Sequence, residues 1–127
     1  MHAVRADTAK NRLYITLGAF TSYDEMYEVA LQLRNETNKL QKGFTALTDL
    51  RNYEMLGKNY EALIKGIQLF LIDAGVSSVI RVVRKFGAWG HLQLDKASMD
   101  AGYHAAYVHS MEEAMAILDR RENGRPD

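Results

Sequence analysis

Few residues in this chain combine the type and the spacing that chemistry requires. Asp49 closes the run GFTALTDL over 43–50, and the carboxyl end of a strand is where α/β folds place functional groups. A phosphoacceptor aspartate needs an acidic pair behind an early strand, and Gly18-Ala19-Phe20 supplies none. Asp49 is therefore read as bonding the backbone of its own loop, in an Asx-type turn. Four histidines, His2, His91, His104 and His109, raise the question of a metal. None is paired at the i,i+4 spacing of a helical ligand pair, and no acidic cluster accompanies them. His104 and His109 would point to opposite faces of a strand. No metal site and no cofactor are expected on the donor set that such sites demand.

Three further groups are candidates for binding. Arg81, Arg84 and Lys85 form a local basic run, and Arg81 could grip a phosphate or carboxylate on an open sheet face. The plainer reading is a solvated strand whose long stems cover apolar neighbours. Phe86 and Trp89 share the glycine-flanked segment FGAWG. An exposed Trp there would anchor a ligand or partner, and the plainer reading folds it over the edge of the core. Met55 and Leu56, in the stretch RNYEMLGKN, would mark a partner or membrane surface if exposed. No glycine-rich phosphate cradle is present, and no Ser/His/Asp order stands in a supporting motif.

The elements that must position these residues follow from periodicity. His2 to Asp7 reads as a short edge strand. Residues 12–20, RLYITLGAF, alternate as a strand, with Leu13, Ile15 and Leu17 on its buried side. Ser22 and Glu25 have capping-box spacing for a helix running to about Leu40. A strand at 43–50 leads through a loop to a second helix over about 59–74, closed by Gly75. A strand at 78–85, a helix at about 91–101 and a strand at 105–109 follow. Ser110 and Glu113 then repeat the capping-box spacing for a last helix to about Arg121.

The resulting order is β-β-α-β-α-β-α-β-α, an α/β domain with a mostly parallel five-stranded sheet. If successive strands are neighbours and each crossover is right-handed, the helices lie mainly on one face. On that expectation Leu13, Ile15, Leu17, Ile80, Val82, Ala106 and Val108 face the helices, while Tyr14, Thr16, Arg81 and Tyr107 face away. Tyr14, Arg81 and Tyr107 on an open face, together with an exposed first strand, would suit a homodimer.

Composition bounds the function. The chain has 127 residues, enough for a single domain over 1–121 with a polar tail at 122–127. Sixteen basic residues balance sixteen acidic ones, which removes the electrostatic footprint expected of a nucleic-acid binder. The absence of cysteine excludes disulfides, thiolate catalysis and cysteine-ligated zinc. No apolar run suits a secretory leader or a transmembrane helix, so a cytoplasmic protein is the expectation.

The order of elements resembles the STAS superfamily, and within it the SpoIIAA-like branch of anti-sigma-factor-antagonist domains. The carrying residues are RLYITLGAF with a helix behind it, GFTALTDLRN, the helix ending DAG before SVIRVV, and SMEEAMAIL near the end, so that the likeness covers about residues 3–120. It implies a superhelix of strand–helix units and a regulatory role exerted by binding. In regulatory members an Asp-Ser pair opens the helix after the third strand, and phosphorylation of that serine controls partner docking. Asp49-Leu50-Arg51-Asn52 matches the start of that motif, but the Asp-Ser positions fall on Gly57 and Lys58, and no serine or threonine lies between Leu50 and Ile72. The resemblance therefore implies a non-enzymatic, STAS-like interaction domain without the phosphoswitch. Its regulatory protein partner would dock on Asn52, Met55, Leu56, Gly57 and Lys58. The alternative is a carrier of a small apolar or amphipathic ligand, with Trp89, Phe86 and Arg81 at its site and peripheral contact with a membrane.

Overall fold

The computed structural model describes residues 2–55, 60–84 and 105–123. Five strands form one sheet: β1 (Ala3–Asp7), β2 (Arg12–Thr16), β4 (Thr45–Asp49), β6 (Ser78–Val82) and β7 (Ala105–Val108), in the order β1-β2-β4-β6-β7. β1 pairs antiparallel with β2, and every other pair is parallel. The described helices are α1 (Tyr23–Thr37), α2 (Tyr60–Ala74) and α3 (Met111–Asn123). The α/β class and the five-stranded, mostly parallel sheet agree with the sequence pattern. The expected helix at 91–101 lies outside the described residues.

Local chemistry sets the helix ends. Ser22 caps α1 by accepting the Glu25 N–H at 3.3 Å. The Glu25 carboxylate reaches back to the Thr21 N–H and hydroxyl, one residue before the position an ideal capping box would use. At α3, Ser110 accepts the Glu113 N–H at 3.1 Å, and Glu113 in turn accepts the His109 N–H at 3.3 Å. α2 closes in a Schellman motif, with Val76 N–H to the Leu71 carbonyl and Gly75 N–H to the Ile72 carbonyl, both at 3.0 Å. Gly75 has φ +97°, and a Cβ there would stand 2.9 Å from Lys42 Cγ. A side chain at that position would therefore meet both backbone strain and a clash.

The helices occupy both faces of the sheet, so the expectation that they lie mainly on one face holds for α1 and α2 and fails for α3. Leu13, Ile15, Ala46 and Val79 pack with Val29 and Leu33 of α1 and Leu71 of α2. Leu47, Ile80, Val82 and Val108 pack instead with Ala114 and Leu118 of α3. The reason is topological. α1 and α2 connect parallel neighbouring strands, so the right-handed crossover rule assigns both to the same side. α3 follows β7 and joins no two of the described strands, so that rule does not assign it to the same side.

Register carries the correction to individual residues. Ile15, Thr48, Arg81 and Tyr107 form one rung, and Tyr14, Leu47, Ile80 and Ala106 the next; neighbouring rungs face opposite ways. Arg81 and Tyr107 thus lie under α1 and α2 rather than on an open face. Ile80, Val82, Ala106 and Val108 face α3, and Tyr14 packs beside it against Met115. The homodimer surface expected from Tyr14, Arg81 and Tyr107 does not exist as one face.

The outer edge of β1 is also occupied. α1 lies along it, and the Val4 and Ala6 N–H groups donate to Gln32 Oε1 at 3.2 Å and Glu36 Oε1 at 2.9 Å. Side chains of a helix thereby take the edge donors that another strand would otherwise use. On the α3 side, Arg12 is fully buried and donates from Nη2 to Asp119 at 3.0 Å and from Nη1 to the Tyr14 hydroxyl at 3.3 Å. This pair fastens the last helix to β2.

Candidate functional site

Among the residues singled out by sequence, Asp49, Asn52 and Arg84 lie at or just beyond the carboxyl ends of the parallel strands. The expected single strand over 12–20 is divided here. β2 ends at Thr16, and the Leu17 N–H donates to the Asp49 carbonyl at 3.1 Å. Beyond Gly18 the chain forms β3 (Ala19–Phe20), which pairs in parallel with β5 (Glu54–Met55) in a separate two-stranded ladder. The expected 51–59 loop therefore contains a strand. The Glu54 N–H donates to the Gly18 carbonyl at 3.1 Å, and the Tyr53 N–H to the Leu50 carbonyl at 3.2 Å.

Asp49 makes the Asx-type turn expected of it. Its Oδ1 accepts the Arg51 N–H at 3.1 Å, and its two oxygens accept Arg51 Nε and Nη2, each at 2.9 Å. This fork-on-fork pair holds the Asp49 carboxyl below its ordinary range; burial acts the other way and is outweighed. The Arg51 carbonyl then accepts Arg84 Nε at 2.8 Å. Asp49, Arg51 and Arg84 thus tie the ends of β4 and β6 together, and Asp49 is committed to structure, not poised as an acid or base.

An aromatic group buttresses the ladder from the N-terminal side. The His2 ring stacks on Phe20 with centroids 4.0 Å apart, and Phe20 meets Tyr53 edge-on at 6.2 Å. His2 Nδ1 accepts the Gly18 N–H at 3.1 Å, while Nε2 stands 3.6 Å from Glu25 Oε2. Hydrogen bonds from the Thr21 N–H and hydroxyl hold the Glu25 carboxyl below its ordinary range, and His2 adds to the effect. Next to this group, at the start of α1, Tyr23 and Tyr27 are 69% and 67% exposed. Asn52 is exposed on the turn.

Of the five proposed docking residues, the structure places Asn52 on this turn and Met55 in the β5 ladder. Leu56, Gly57 and Lys58 lie outside the described residues, as do Trp89 and Phe86. Arg81, the remaining ligand candidate, is 3% exposed; its Nη1 donates to the Tyr107 hydroxyl at 2.9 Å. The solvated-strand reading of Arg81 is overturned, since α1 and α2 cover its face. His109 Nδ1 lies 3.2 Å from the Val83 carbonyl, and His91 and His104 are outside the described residues. Among the described residues no group of three His, Asp or Glu stands together as a metal site, and no helix is long and apolar enough to cross a membrane.

Two buried polar residues escaped the sequence pattern. Arg12 was counted only as the opening of a strand, although it lies opposite Asp119 of α3 in space. Gln68 of α2 is 2% exposed, although its residue type marks a surface position. The signal was available, since Gln68 sits at i+4 from Ile64 and i−3 from Leu71, on the inward stripe of the helix. No family model matches the chain, and no curated protein matches it.

Proposed function

We propose that this domain acts by binding a regulatory protein partner at the carboxyl end of its sheet, as a STAS-like, non-enzymatic interaction domain without the phosphorylatable serine. The observation that carries this reading is the β3·β5 ladder. It holds the start of the 52–58 segment against the sheet, with Asn52 exposed beside it and the exposed Tyr23 and Tyr27 at the adjacent helix start. A loop held in place before binding loses less entropy on docking, and exposed tyrosines are favoured anchors. The Asp49–Arg51 pair supports the same reading, because it uses the one carboxylate of this turn to shape the loop.

The test is affinity capture from an extract of the source cells, with the wild-type chain compared with Lys58→Glu and with the double change Met55→Ser, Leu56→Ser. A specific polypeptide held by the wild type and lost from both variants is the expected result. The same polypeptide held equally by all three would remove the 52–58 segment from the interface.

The second reading, a carrier of a small amphipathic molecule, is favoured by a different observation. Arg81 lies in the interior beneath α1 and α2, among apolar side chains, rather than on a solvated strand face. Native mass spectrometry of gently purified protein would show a stoichiometric adduct if this reading holds, reduced by Trp89→Ala. A bare chain would refute it.

A further inference from the structure

His2 stands between two groups that ask opposite things of an imidazole. Its side chain is only 10% exposed. On one side Nδ1 accepts the Gly18 N–H at 3.1 Å, which it can do only while that nitrogen carries no proton. The proton of the neutral ring then sits on Nε2. On that side Nε2 is buried and makes no hydrogen bond, with Glu25 Oε2 3.6 Å away, beyond hydrogen-bonding reach. The neutral ring therefore satisfies Gly18 and leaves Glu25 unmet.

A second proton on the ring reverses the preference. Nδ1–H and the Gly18 N–H would then be two donors facing each other, while the cation gains a charge-assisted bond by closing on Glu25. Glu25 is ready to accept it, because the Thr21 N–H and hydroxyl hold its carboxyl below its ordinary range. The other elements around the ring bring no competing charge to it. β3 holds Ala19 and Phe20, neither of which titrates. β5 and its approach bring Tyr53, which meets Phe20 edge-on, and Glu54, which is exposed opposite Ala19. Asp24 of α1 is exposed.

Gly18 is the joint on which the small ladder depends. It is buried, its N–H is held by His2, and its carbonyl accepts the Glu54 N–H at 3.1 Å. The same His2 ring stacks on Phe20, the residue paired with Met55. If the ring leaves, a buried N–H loses its acceptor, a cost relieved only by opening that peptide to water. A two-stranded ladder has little stability of its own with which to resist.

We propose that His2 is a pH-sensitive latch on the β3·β5 ladder: the neutral ring holds Gly18 and keeps the ladder closed, and the protonated ring moves to Glu25 and releases it. The seating of the segment that begins at Asn52 thereby depends on pH. The inference goes beyond the binding readings above, since the latch belongs to the ladder whether or not a partner docks there.

The experiment is nuclear magnetic resonance of the nitrogen-15-labelled full chain between about pH 8 and pH 5, a range that spans ordinary imidazole titration. It follows the His2 ring nitrogens and the exchange protection of the Gly18 and Glu54 amides, corrected for intrinsic exchange at each pH. At the upper end the ring is expected in the Nε2–H form. On acidification the protection of both amides should fall at least about tenfold, in step with the ring. His2→Phe keeps the stack and removes the acceptor, so Gly18 should be poorly protected at every pH. Glu25→Gln, which retains a capping acceptor, should move the wild-type response to lower pH. The proposal is overturned by an Nδ1–H ring at pH 8, or by Gly18 and Glu54 protection that does not follow the ring. A Gly18 response that persists in His2→Phe, or one that Glu25→Gln leaves unmoved, would overturn it equally.

Discussion

Replacing Gln68 by Leu should make the ligand-free protein more stable. Gln68 is 2% exposed, with its amide oxygen and nitrogen both unpaired among the described residues. Burying an unsatisfied polar group costs about 1–3 kcal/mol. Leucine has nearly the same helix propensity as glutamine, so the backbone term is unchanged and the polar penalty is removed. For a chain of this length each kcal/mol moves the midpoint by about 4 °C, and the expected rise in Tm is therefore about 4–12 °C. The assay is paired thermal and urea unfolding of wild type and Gln68→Leu, with Gln68→Ala alongside. The alanine variant loses the same amide but leaves a void, so its gain should be smaller. A fall in Tm for Gln68→Leu would refute the reasoning, because it would mean that the amide is hydrogen-bonded in the folded protein.

Other consequences can be measured with the same methods. The Asp49 carboxyl is held below its ordinary range by Arg51, so its contribution is fully present above the unfolded pKa, about 4, and is lost as pH falls through the lower folded value. Asp49→Asn should therefore be less stable than wild type at pH 7, by a margin that narrows as pH falls below about 4; a constant difference on acidification would exclude the Arg51 pair as the cause. Asp119→Ala removes the carboxylate to which the buried Arg12 guanidinium donates and should lower Tm, while adding Arg12→Met should recover part of the loss. A double variant weaker than Asp119→Ala alone would contradict that account. Removing the edge caps with Gln32→Ala and Glu36→Ala frees the Val4 and Ala6 N–H groups and should raise the weight-average mass in sedimentation at high concentration relative to wild type. An unchanged mass would show that these two side chains do not guard the β1 edge.

Much of the fold was legible because it depends on short-range chemistry. Ser22 with Glu25, and Ser110 with Glu113, carry cap signals that act within four residues, and both helices begin where those signals stand. Gly75 marks the end of α2 by the same logic. Alternation likewise placed the five strands of the main sheet. The Asx turn at Asp49 was legible from residue type, since an aspartate and the N–H two positions on need nothing distant.

What the sequence could not determine by itself is which residues share a face. Alternation fixes parity within a strand, but comparison between strands needs register, a property of paired chains. β6 shows why the phase of one strand against the others is hidden. Val79, Ile80, Arg81 and Val82 are all buried because helices cover both sides, so the strand has no polar face to set the phase. Its near-continuous apolar run was the trace of two-sided burial, and Arg81 in its middle passed for a solvent position. The same limit hid the union of Arg12 with Asp119, 107 residues apart. The crossover rule constrains α1 and α2 but not α3, which joins no two of the described strands, so the covering of the second face was decided only when the chain packed in three dimensions.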